Sequence, residues 1–324
     1  MKDFRRARRV GLTAILCALL MRLWAAGVPE KVAAWLTEPN TAAFLIYLET
    51  GRDVRFSSSS EVFSPDFVES PPPAIPEPTE APIPSFSDAQ SIEIYYAADK
   101  NPDIEGLLSE PLEWDLYSDA PTVLILHTHS TESYTQDGEN YVETSDWRTL
   151  DENYNMLSIG HRVGEILAEN GITAIQDREL HDYPSYNGSY TNARKSIKAY
   201  LEEYPTIQLI LDLHRDASGG DGGQMRTKAT VNGQDSAQLM VVMGVNHENF
   251  EKNLSFSLKL HAQLENQAPG IMRPLQLRAA RFNQDLCTGA VLIEVGAAGN
   301  THKEAMLAAE ELGKAIVALA RGTQ

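Results

Sequence analysis

The stretch TVLILHTHSTESY, residues 122–134, joins a short apolar run to a run of polar residues. The apolar part, TVLILH, is typical of a strand buried inside a sheet. The polar part contains two of the chain's eight histidines, His127 and His129, and places Glu132 three residues after the second. Two interpretations are open at this point. Polar side chains can simply end a strand and turn into a loop, or these residues can form half of a metal site.

Outward from this stretch, apolar runs alternate with segments of helical spacing, which predicts the fold class. Further strands are predicted at 172–177, 207–214, 238–245 and 290–296. Helices are predicted at 153–171, 189–204, 249–266 and 301–322. Strands that alternate with helices predict an α/β domain whose mixed, mostly parallel sheet is covered by helices on both faces.

Potential metal ligands and a further carboxylate follow three of the predicted strands. His129 and Glu132 follow the first, His214 ends the strand LILDLH, and Glu294 lies in AVLIEVG. Functional sites of open α/β sheets lie at the carboxyl ends of strands. A catalytic zinc takes three histidine or carboxylate ligands and leaves a position for water. His129, Glu132 and His214 supply such a set, and Glu294 could move the proton. The order of these residues is similar to that of zinc carboxypeptidases.

Each of these residues also has an ordinary structural interpretation. Loop histidines are commonly surface residues, and His214 could form a hydrogen bond at a strand end. Glu294 is more informative, because a carboxylate within an apolar run is costly to bury without a partner. The combination favours a metal site. The glycine-rich segment 219–233 lacks the lysine and Ser/Thr spacing of a phosphate-binding loop and is predicted to be a mobile loop or hairpin.

The charge distribution argues against nucleic acid as a partner. The 324 residues carry a net charge of −18, whereas phosphate backbones are bound by clustered Lys and Arg. Residues 1–34 carry a net +5 and the remainder −23, which indicates a separate role for the N-terminus. Because an acidic body repels acidic ligands, Arg215, Arg278 and Arg281 would have to supply the local positive charge for them.

The N-terminal third predicts an anchor followed by a tether. Residues 1–28 combine a basic start with a short apolar run, which favours an uncleaved membrane anchor with the body outside the cell. A cleaved export signal and an amphipathic helix remain alternatives. Residues 29–93 contain a juxtamembrane segment and a Pro/Ser-rich stretch that is predicted to be an extended linker. Residues 94–324 form the predicted catalytic domain.

Four motifs give the chain a family resemblance. VLILHTHSTESY, LILDLHRDA, RFNQDL and LIEVGAAGN, in this order, resemble the stage II sporulation protein P family over roughly residues 95–324. The resemblance implies a zinc amidase-like cell-wall hydrolase, an N-acetylmuramoyl-L-alanine amidase that also acts as an endopeptidase on peptide cross-links. It further implies a membrane-anchored protein that thins peptidoglycan during forespore engulfment, together with stage II sporulation proteins D and M.

The resemblance also implies roles for individual residues. The histidine pair and Glu132 fall at the Zn²⁺ site, His214 is the further histidine ligand, and Glu294 is the acid/base. Either His127 or His129 can be the ligand; His129 is favoured, which leaves His127 near the substrate or behind the ligands. Arg215 is expected to bind a substrate carboxylate or the developing oxyanion. The polar run 281–285 supplies either substrate contacts or a turn.

Two functional hypotheses compete with an amidase. A wall-binding or scaffold protein could keep the fold and lose catalysis, but it would be expected to lack a ligand or the acid/base, and all candidates are present. A zinc peptidase acting on cross-links would need the same groups as an amidase, because peptide and lactyl-amide bonds demand the same chemistry. The residues therefore favour an enzyme and leave the choice of bond open.

Overall fold

In this computed structural model the described residues are 60–64, 92–98, 100–138, 141–217, 219–220 and 223–322. Ser60–Gln324 forms one compact unit. The predicted anchor, residues 1–28, lies outside the described residues, as does most of the predicted linker. None of the helices in the described part of the chain has the length and hydropathy needed to cross a membrane.

The described residues contain fourteen strands and five α-helices. The strands are β1 (Ser60–Phe63), β2 (Ile94–Ala97), β3 (Val123–Leu126), β4 (Glu143–Ser145), β5 (Arg148–Thr149), β6 (Ala174–Asp177), β7 (Leu209–Asp216), β8 (Gly219–Gly220), β9 (Gly223–Gln224), β10 (Ala229–Val231), β11 (Gln234–Ser236), β12 (Leu239–Gly244), β13 (Leu275–Arg278) and β14 (Ala290–Ala297). The helices are α1 (Ile104–Ser109), α2 (Met156–Glu169), α3 (Ser189–Glu203), α4 (Phe250–Gln267) and α5 (His302–Arg321).

Eight strands form one mixed sheet in the order β1-β6-β3-β7-β14-β12-β13-β2. Strands β6, β3, β7 and β14 run parallel to one another, and β12 pairs antiparallel with β14. Strands β13 and β2 run parallel to β12, whereas β1 is antiparallel to β6. The predicted α/β class with a mixed, mostly parallel sheet is therefore confirmed.

Helices cover both faces of the sheet, but unequally. The larger core packs one face against α2, α4 and α5. On the other face, α3 contributes Ala193 and Ile197 to a smaller core over β6, β3 and β7. The predicted helices and central strands agree with those observed to within about three residues at each end. Local signals fix several ends: Gly171 after α2 has φ 84°, and Thr301 with Glu304 forms a capping box for α5.

Three elements of the sheet differ from the sequence-based expectation. Ser60–Phe63 lies inside the predicted extended linker, yet it pairs with β6, and Phe63 is buried against the core. Strands β2 and β13 were not predicted as strands. The glycine-rich segment ends in the β10–β11 hairpin, whose Asn232 and Gly233 both have positive φ, as a two-residue hairpin turn requires.

Candidate metal and catalytic site

The loop after β3 is a buried polar segment held by hydrogen bonds. All of residues 127–133 are buried, so the histidines are not surface residues. The Thr128 backbone N–H and hydroxyl donate to the Asp212 carboxylate at 2.8 and 2.7 Å. The Thr131 hydroxyl donates to Asp182 at 2.7 Å. Because these bonds satisfy the buried threonine hydroxyls of the loop, they help to hold its histidine and glutamate in a fixed position.

The three predicted metal ligands lie together. The rings of His129 and His214 are 5.1 Å apart between centroids and nearly perpendicular. His214 Nδ1 lies 3.7 Å from Glu132 Oε2. The histidine at the end of β7 thus meets the two residues supplied by the loop after β3.

Glu132 lies in a positively charged environment. The Arg215 backbone N–H donates to Glu132 Oε2 at 3.2 Å, and Arg148 Nη2 donates to Glu132 Oε1 at 3.2 Å. Burial alone would raise the pKa of Glu132, but Arg215, His214, His129 and Arg148 outweigh it and hold the pKa below its ordinary value. Glu132 is therefore an ionised oxygen donor, as a metal ligand must be.

Asp212, which the sequence analysis missed, lies behind His214. Asp212 Oδ1 is 3.0 Å from His214 Nε2, and this leaves Nδ1 directed towards Glu132. Burial opposes a charge on His214, but Asp212 and the other nearby carboxylates raise its pKa to about 9. A carboxylate on the outer nitrogen of a metal-binding histidine fixes its tautomer and orientation.

Two tyrosines enclose His129, and no sequence motif had indicated either. The ring of Tyr186 stacks on His129 with centroids 4.5 Å apart, and its hydroxyl lies 3.1 Å from His129 Nε2. Tyr190 meets the same ring edge-on at 5.5 Å. His129 Nδ1 is buried and has no hydrogen-bond partner. Burial lowers the pKa of His129 to about 4, so the ring is neutral and one of its two nitrogens carries a lone pair.

Glu294 lies beside this group on the neighbouring strand. It is in register with His214, and both side chains are on the sheet face that α3 covers further along β7 and β14. Glu294 Oε2 is buried without a hydrogen-bond partner. Burial raises the pKa of Glu294 to about 8, with Glu132 adding to the effect and His214 opposing it. Such a pKa suits a group that both accepts and returns a proton near neutral pH.

His127 lies apart from this group. Strand alternation places it on the same face as Val123 and Ile125, towards the larger core. Its Nδ1 is 3.2 Å from the Leu213 carbonyl oxygen and its Nε2 is 2.9 Å from the Gln176 amide. Burial lowers its pKa to about 4. The catalytic role predicted for His127 therefore lacks a geometric basis, because both ring nitrogens are engaged on the opposite side of the strand.

Arg215 forms its hydrogen bonds inside the protein. Its guanidinium is buried and donates to the carbonyl oxygens of Ser133 and Trp147, each at 3.0 Å, and approaches Glu132 Oε1 at 3.4 Å. These bonds fix the loop and orient Glu132. The predicted binding of a substrate carboxylate or oxyanion by Arg215 stays a prediction, and the bonds that the structure shows are made inside the protein.

The polar run 281–285 forms a turn that builds one wall of a cavity. Phe282 and Asn283 have φ of 51° and 57°, and Phe282 lines a cavity of about 790 Å³ that also contains Glu294. The Gln284 side chain accepts from the Gly244 N–H at 2.8 Å and donates to the Val242 carbonyl oxygen at 2.9 Å. The run therefore shapes the cavity mainly through internal bonds.

The donor set suits zinc in kind. His129, Glu132 and His214 are nitrogen and oxygen donors of the types that bind catalytic zinc. The Nδ1 of His129 is a buried ring nitrogen without a hydrogen-bond partner, and a metal ion would satisfy it. Among the described residues, however, no three His, Cys, Asp or Glu side chains are already arranged around one metal position. Glu132 is bonded instead to Arg148 and Arg215, cations that a divalent ion would in part replace.

Comparison with known proteins identifies the family. The sequence profile of the stage II sporulation protein P family (SpoIIP) matches residues 78–317. The chain belongs to this family. The stage II sporulation protein P of Bacillus subtilis (strain 168) is 30% identical over 202 residues, which is 59% of this chain and 49% of the relative. This SpoIIP chain thus matches about half the length of that curated relative.

Solved structures similar to this SpoIIP chain include three amidase structures. The amidase AmiC2 of Nostoc punctiforme is 14% identical, covering 62% of this chain and 94% of its own, with a TM-score of 0.34. The CwlD amidase of Clostridioides difficile, in complex with the GerS lipoprotein, is 16% identical. The match covers 62% of this chain and 98% of that structure's chain, with a TM-score of 0.39. An N-acetylmuramoyl-L-alanine amidase of Clostridium difficile 630 is also 16% identical. The match covers 63% of this chain and 97% of that structure's chain, with a TM-score of 0.37.

Proposed function

We propose that this SpoIIP protein is a peptidoglycan hydrolase that acts in sporulation, and more specifically a zinc-dependent N-acetylmuramoyl-L-alanine amidase. The bond cut joins the muramoyl lactyl group to L-alanine. The observation that carries the proposal is the meeting of His129, Glu132 and His214 beside Glu294, a part-buried carboxylate at the edge of an open cavity. A binding module without activity would have no need to keep the Oε2 atom of Glu294 buried and unpartnered.

The residues divide the chemistry between them. His129, Glu132 and His214 would hold the zinc ion, with Asp212 orienting His214 and Arg215 orienting Glu132. When bound, zinc polarises the substrate carbonyl and makes a water molecule more acidic. Glu294 accepts the proton from the attacking water and returns it to the nitrogen of the leaving L-alanine. Because Glu294 is held without a competing partner, it is free to carry that proton in both directions.

Glu294→Gln provides the direct test of this assignment. The amide keeps the size of the side chain but cannot take up a proton, so release of stem peptides should fall by about 10²–10⁴-fold while zinc content is unchanged. Glu202→Gln is the matched control, because Glu202 is exposed near the end of α3. If Glu294→Gln hydrolysed peptidoglycan at the wild-type rate, the proposed mechanism would be wrong.

Location and partners belong to the same proposal. The basic, apolar N-terminus supports a membrane-anchored protein whose catalytic domain lies outside the cytoplasm, in contact with peptidoglycan. Stage II sporulation proteins D and M are the partners that membership of the family suggests. Hydrolysis of peptide cross-links stays a prediction that an analysis of reaction products can separate from amidase activity.

A further inference from the structure

On half of one sheet face, the described part of the chain places no helix. On this face α3 packs over β6, β3 and β7. Over β14, β12, β13 and β2 the described residues contribute only a small apolar cluster of Met240, Val242 and Leu292, with Phe282 against it. The cavity of about 790 Å³ lies on this uncovered half, and its floor is the sheet itself. We call this cavity the open groove.

The open groove has a carboxylate at one end and a cation at the other. Glu294 on β14 lies at the inner end, beside the candidate metal ligands. Gln276 and Arg278 on β13 also line it, and β13 is two strands away from β14. The register pairs Glu294 with Met240, Val242 with Gln276, and Gly244 with Arg278.

Arg278 is the cation in the open groove that has no charged partner among the described residues. The other arginine lining the groove, Arg273, donates to Asp216 at 2.8 Å. Arg278 is exposed and has no ion pair with any residue that the structure describes. Arg281 is exposed as well but does not line the groove. In a chain of net charge −18, an unpaired cation is where an anionic ligand group would be bound.

Close backbone packing fixes Arg278 at the rim. The Val245 N–H donates to the Arg278 carbonyl oxygen at 3.0 Å, and the Asn246 N–H donates to the Ala280 carbonyl oxygen at 3.0 Å. The chain after β13 passes so near β12 that a Cβ at Gly244 would lie 2.6 Å from the Ala280 carbonyl oxygen. The position of Arg278 relative to Glu294 is therefore set by the sheet.

That position defines the reach of the ligand. Two strand spacings of about 4.8 Å and four residues of about 3.3 Å place the Cα atoms of Glu294 and Arg278 about 16 Å apart. An extended peptide advances at most about 3.3–3.6 Å per residue. A peptide whose first amide bond is at Glu294 would thus bring its third to fifth residue to Arg278, the count depending on how far the arginine side chain extends.

We propose that Arg278, assisted by Gln276, binds a free carboxylate on the third to fifth residue of an acidic peptide whose first amide bond lies at Glu294. The inference rests on the proposed function, because it takes Glu294 as the point of cleavage. Arg278 supplies charge-assisted hydrogen bonds to the carboxylate, and Gln276 supplies an amide donor. The open groove therefore selects acidic stem peptides over stem peptides whose carboxylates are amidated.

Binding in a background without turnover tests the proposal. The full chain carrying Glu294→Gln is titrated with a muramoyl tetrapeptide bearing free carboxylates and with its amidated analogue. We expect the acidic ligand to bind more tightly, and the added substitution Arg278→Gln to weaken it about tenfold while leaving the amidated ligand unchanged. Arg321→Gln is the matched control, because Arg321 is an exposed arginine at the end of α5 and should change neither affinity.

The outcomes separate this inference from the proposed function. Three results would overturn the carboxylate subsite. Arg278→Gln could lower the affinity for both ligands equally, or lower neither affinity, or the Glu294→Gln parent protein could bind neither ligand. If the wild-type protein hydrolyses muropeptides but its preference for free carboxylates survives Arg278→Gln, the amidase stands and the subsite fails. If the binding preference depends on Arg278 but no hydrolysis occurs, the subsite stands and the amidase fails.

Discussion

His127 and His129 are two residues apart, yet their side chains have different surroundings. His127 contacts Gln176 and the Leu213 carbonyl oxygen beneath α2, whereas His129 contacts Tyr186, Tyr190 and His214. Of these two histidines, only His129 has a buried ring nitrogen without a hydrogen-bond partner. At the scale of single residues, the account therefore makes His129 the metal ligand and His127 a structural residue.

Substituting each histidine in turn tests this division. His129→Ala should lose most of its bound zinc, because it removes one of three ligands. When zinc is chelated from both proteins, His129→Ala should unfold at nearly the same temperature as the wild type. His127→Gln should keep zinc at one per chain but lower the thermal stability, because it disturbs a buried hydrogen-bonded group. Metal analysis and thermal unfolding measure both properties. Loss of zinc in His127→Gln with retention in His129→Ala would reverse the assignment.

The sequence indicated the candidate ligands and the candidate acid/base, but not the residues that contact them. His129, Glu132, His214 and Glu294 follow or lie within apolar strands, and this local pattern is visible in the sequence. Asp212, Arg148 and Tyr186 reach the site through tertiary contacts that no spacing encodes. The internal bonds of Arg215 could not be predicted either, because the direction of its guanidinium depends on where the loop after β3 folds.

Among the elements, the segment between β6 and α3, residues 178–188, covers the candidate metal site. It carries Tyr186 onto His129, and its inner end is held by His181, whose Nε2 lies 2.9 Å from Asp177 Oδ2. Burial alone would lower the pKa of His181, but Asp177 more than compensates and the pKa lies above 6.5. The charged pair thus contributes to the free energy of unfolding when His181 is protonated.

The pH dependence of this contribution has a definite sign. Because the folded-state pKa is raised, the stabilisation is fully present below the unfolded-state pKa of about 6.5 and is lost as the pH rises through the folded-state value. The stability difference between wild type and His181→Asn, measured by denaturant unfolding, should therefore decrease as the pH increases. His261→Asn is a control for which the stability difference should change with pH in the opposite direction. Burial lowers the pKa of His261 to about 4, so protonation of this histidine at low pH destabilises the folded protein. A difference for His181→Asn that does not vary with pH would exclude the charged pair.

Helix α2 packs closely on β3 and β6 through a glycine. A Cβ at Gly160 would lie 2.5 Å from both His127 Nε2 and Gln176 Nε2. Gly160→Ala should therefore destabilise the protein by about 1–3 kcal/mol through overpacking. Gly322→Ala is the matched control, because Gly322 has φ −71° and its nearest atom would be 3.5 Å away, so its stability should change little. Equal unfolding temperatures for the two variants would contradict the packing described for α2.

The elements that were predicted correctly share a property that the missed ones lack. Strands β3, β7, β12 and β14 are almost wholly buried, so their apolar runs are continuous. Strands β1 and β2 are short edge strands with partly exposed residues, and pairing with a neighbour gives them their structure. The antiparallel direction of β12 depends on tertiary packing, and no local pattern in the sequence encodes it.

At the scale of the whole molecule, an acidic domain presents a candidate metal site beside an open groove. The strongly negative net charge gives no long-range attraction for acidic wall polymers, so the proposed recognition would depend on local groups such as Arg278. The uncovered half of the sheet leaves room for a peptide that extends away from Glu294. The proposed hydrolase would thus bind its substrate along the sheet and cut it at the carboxyl ends of β7 and β14.

Mass spectrometry of purified peptidoglycan digested by the full chain, with and without zinc chelation, tests the central claim most directly. The account predicts free stem peptides whose release stops on chelation and returns with added zinc. Cross-links split while stems remain attached to the glycan would assign a peptidase instead. Products that persist after complete removal of the metal, or no products from a zinc-loaded chain, would contradict a zinc-dependent amidase.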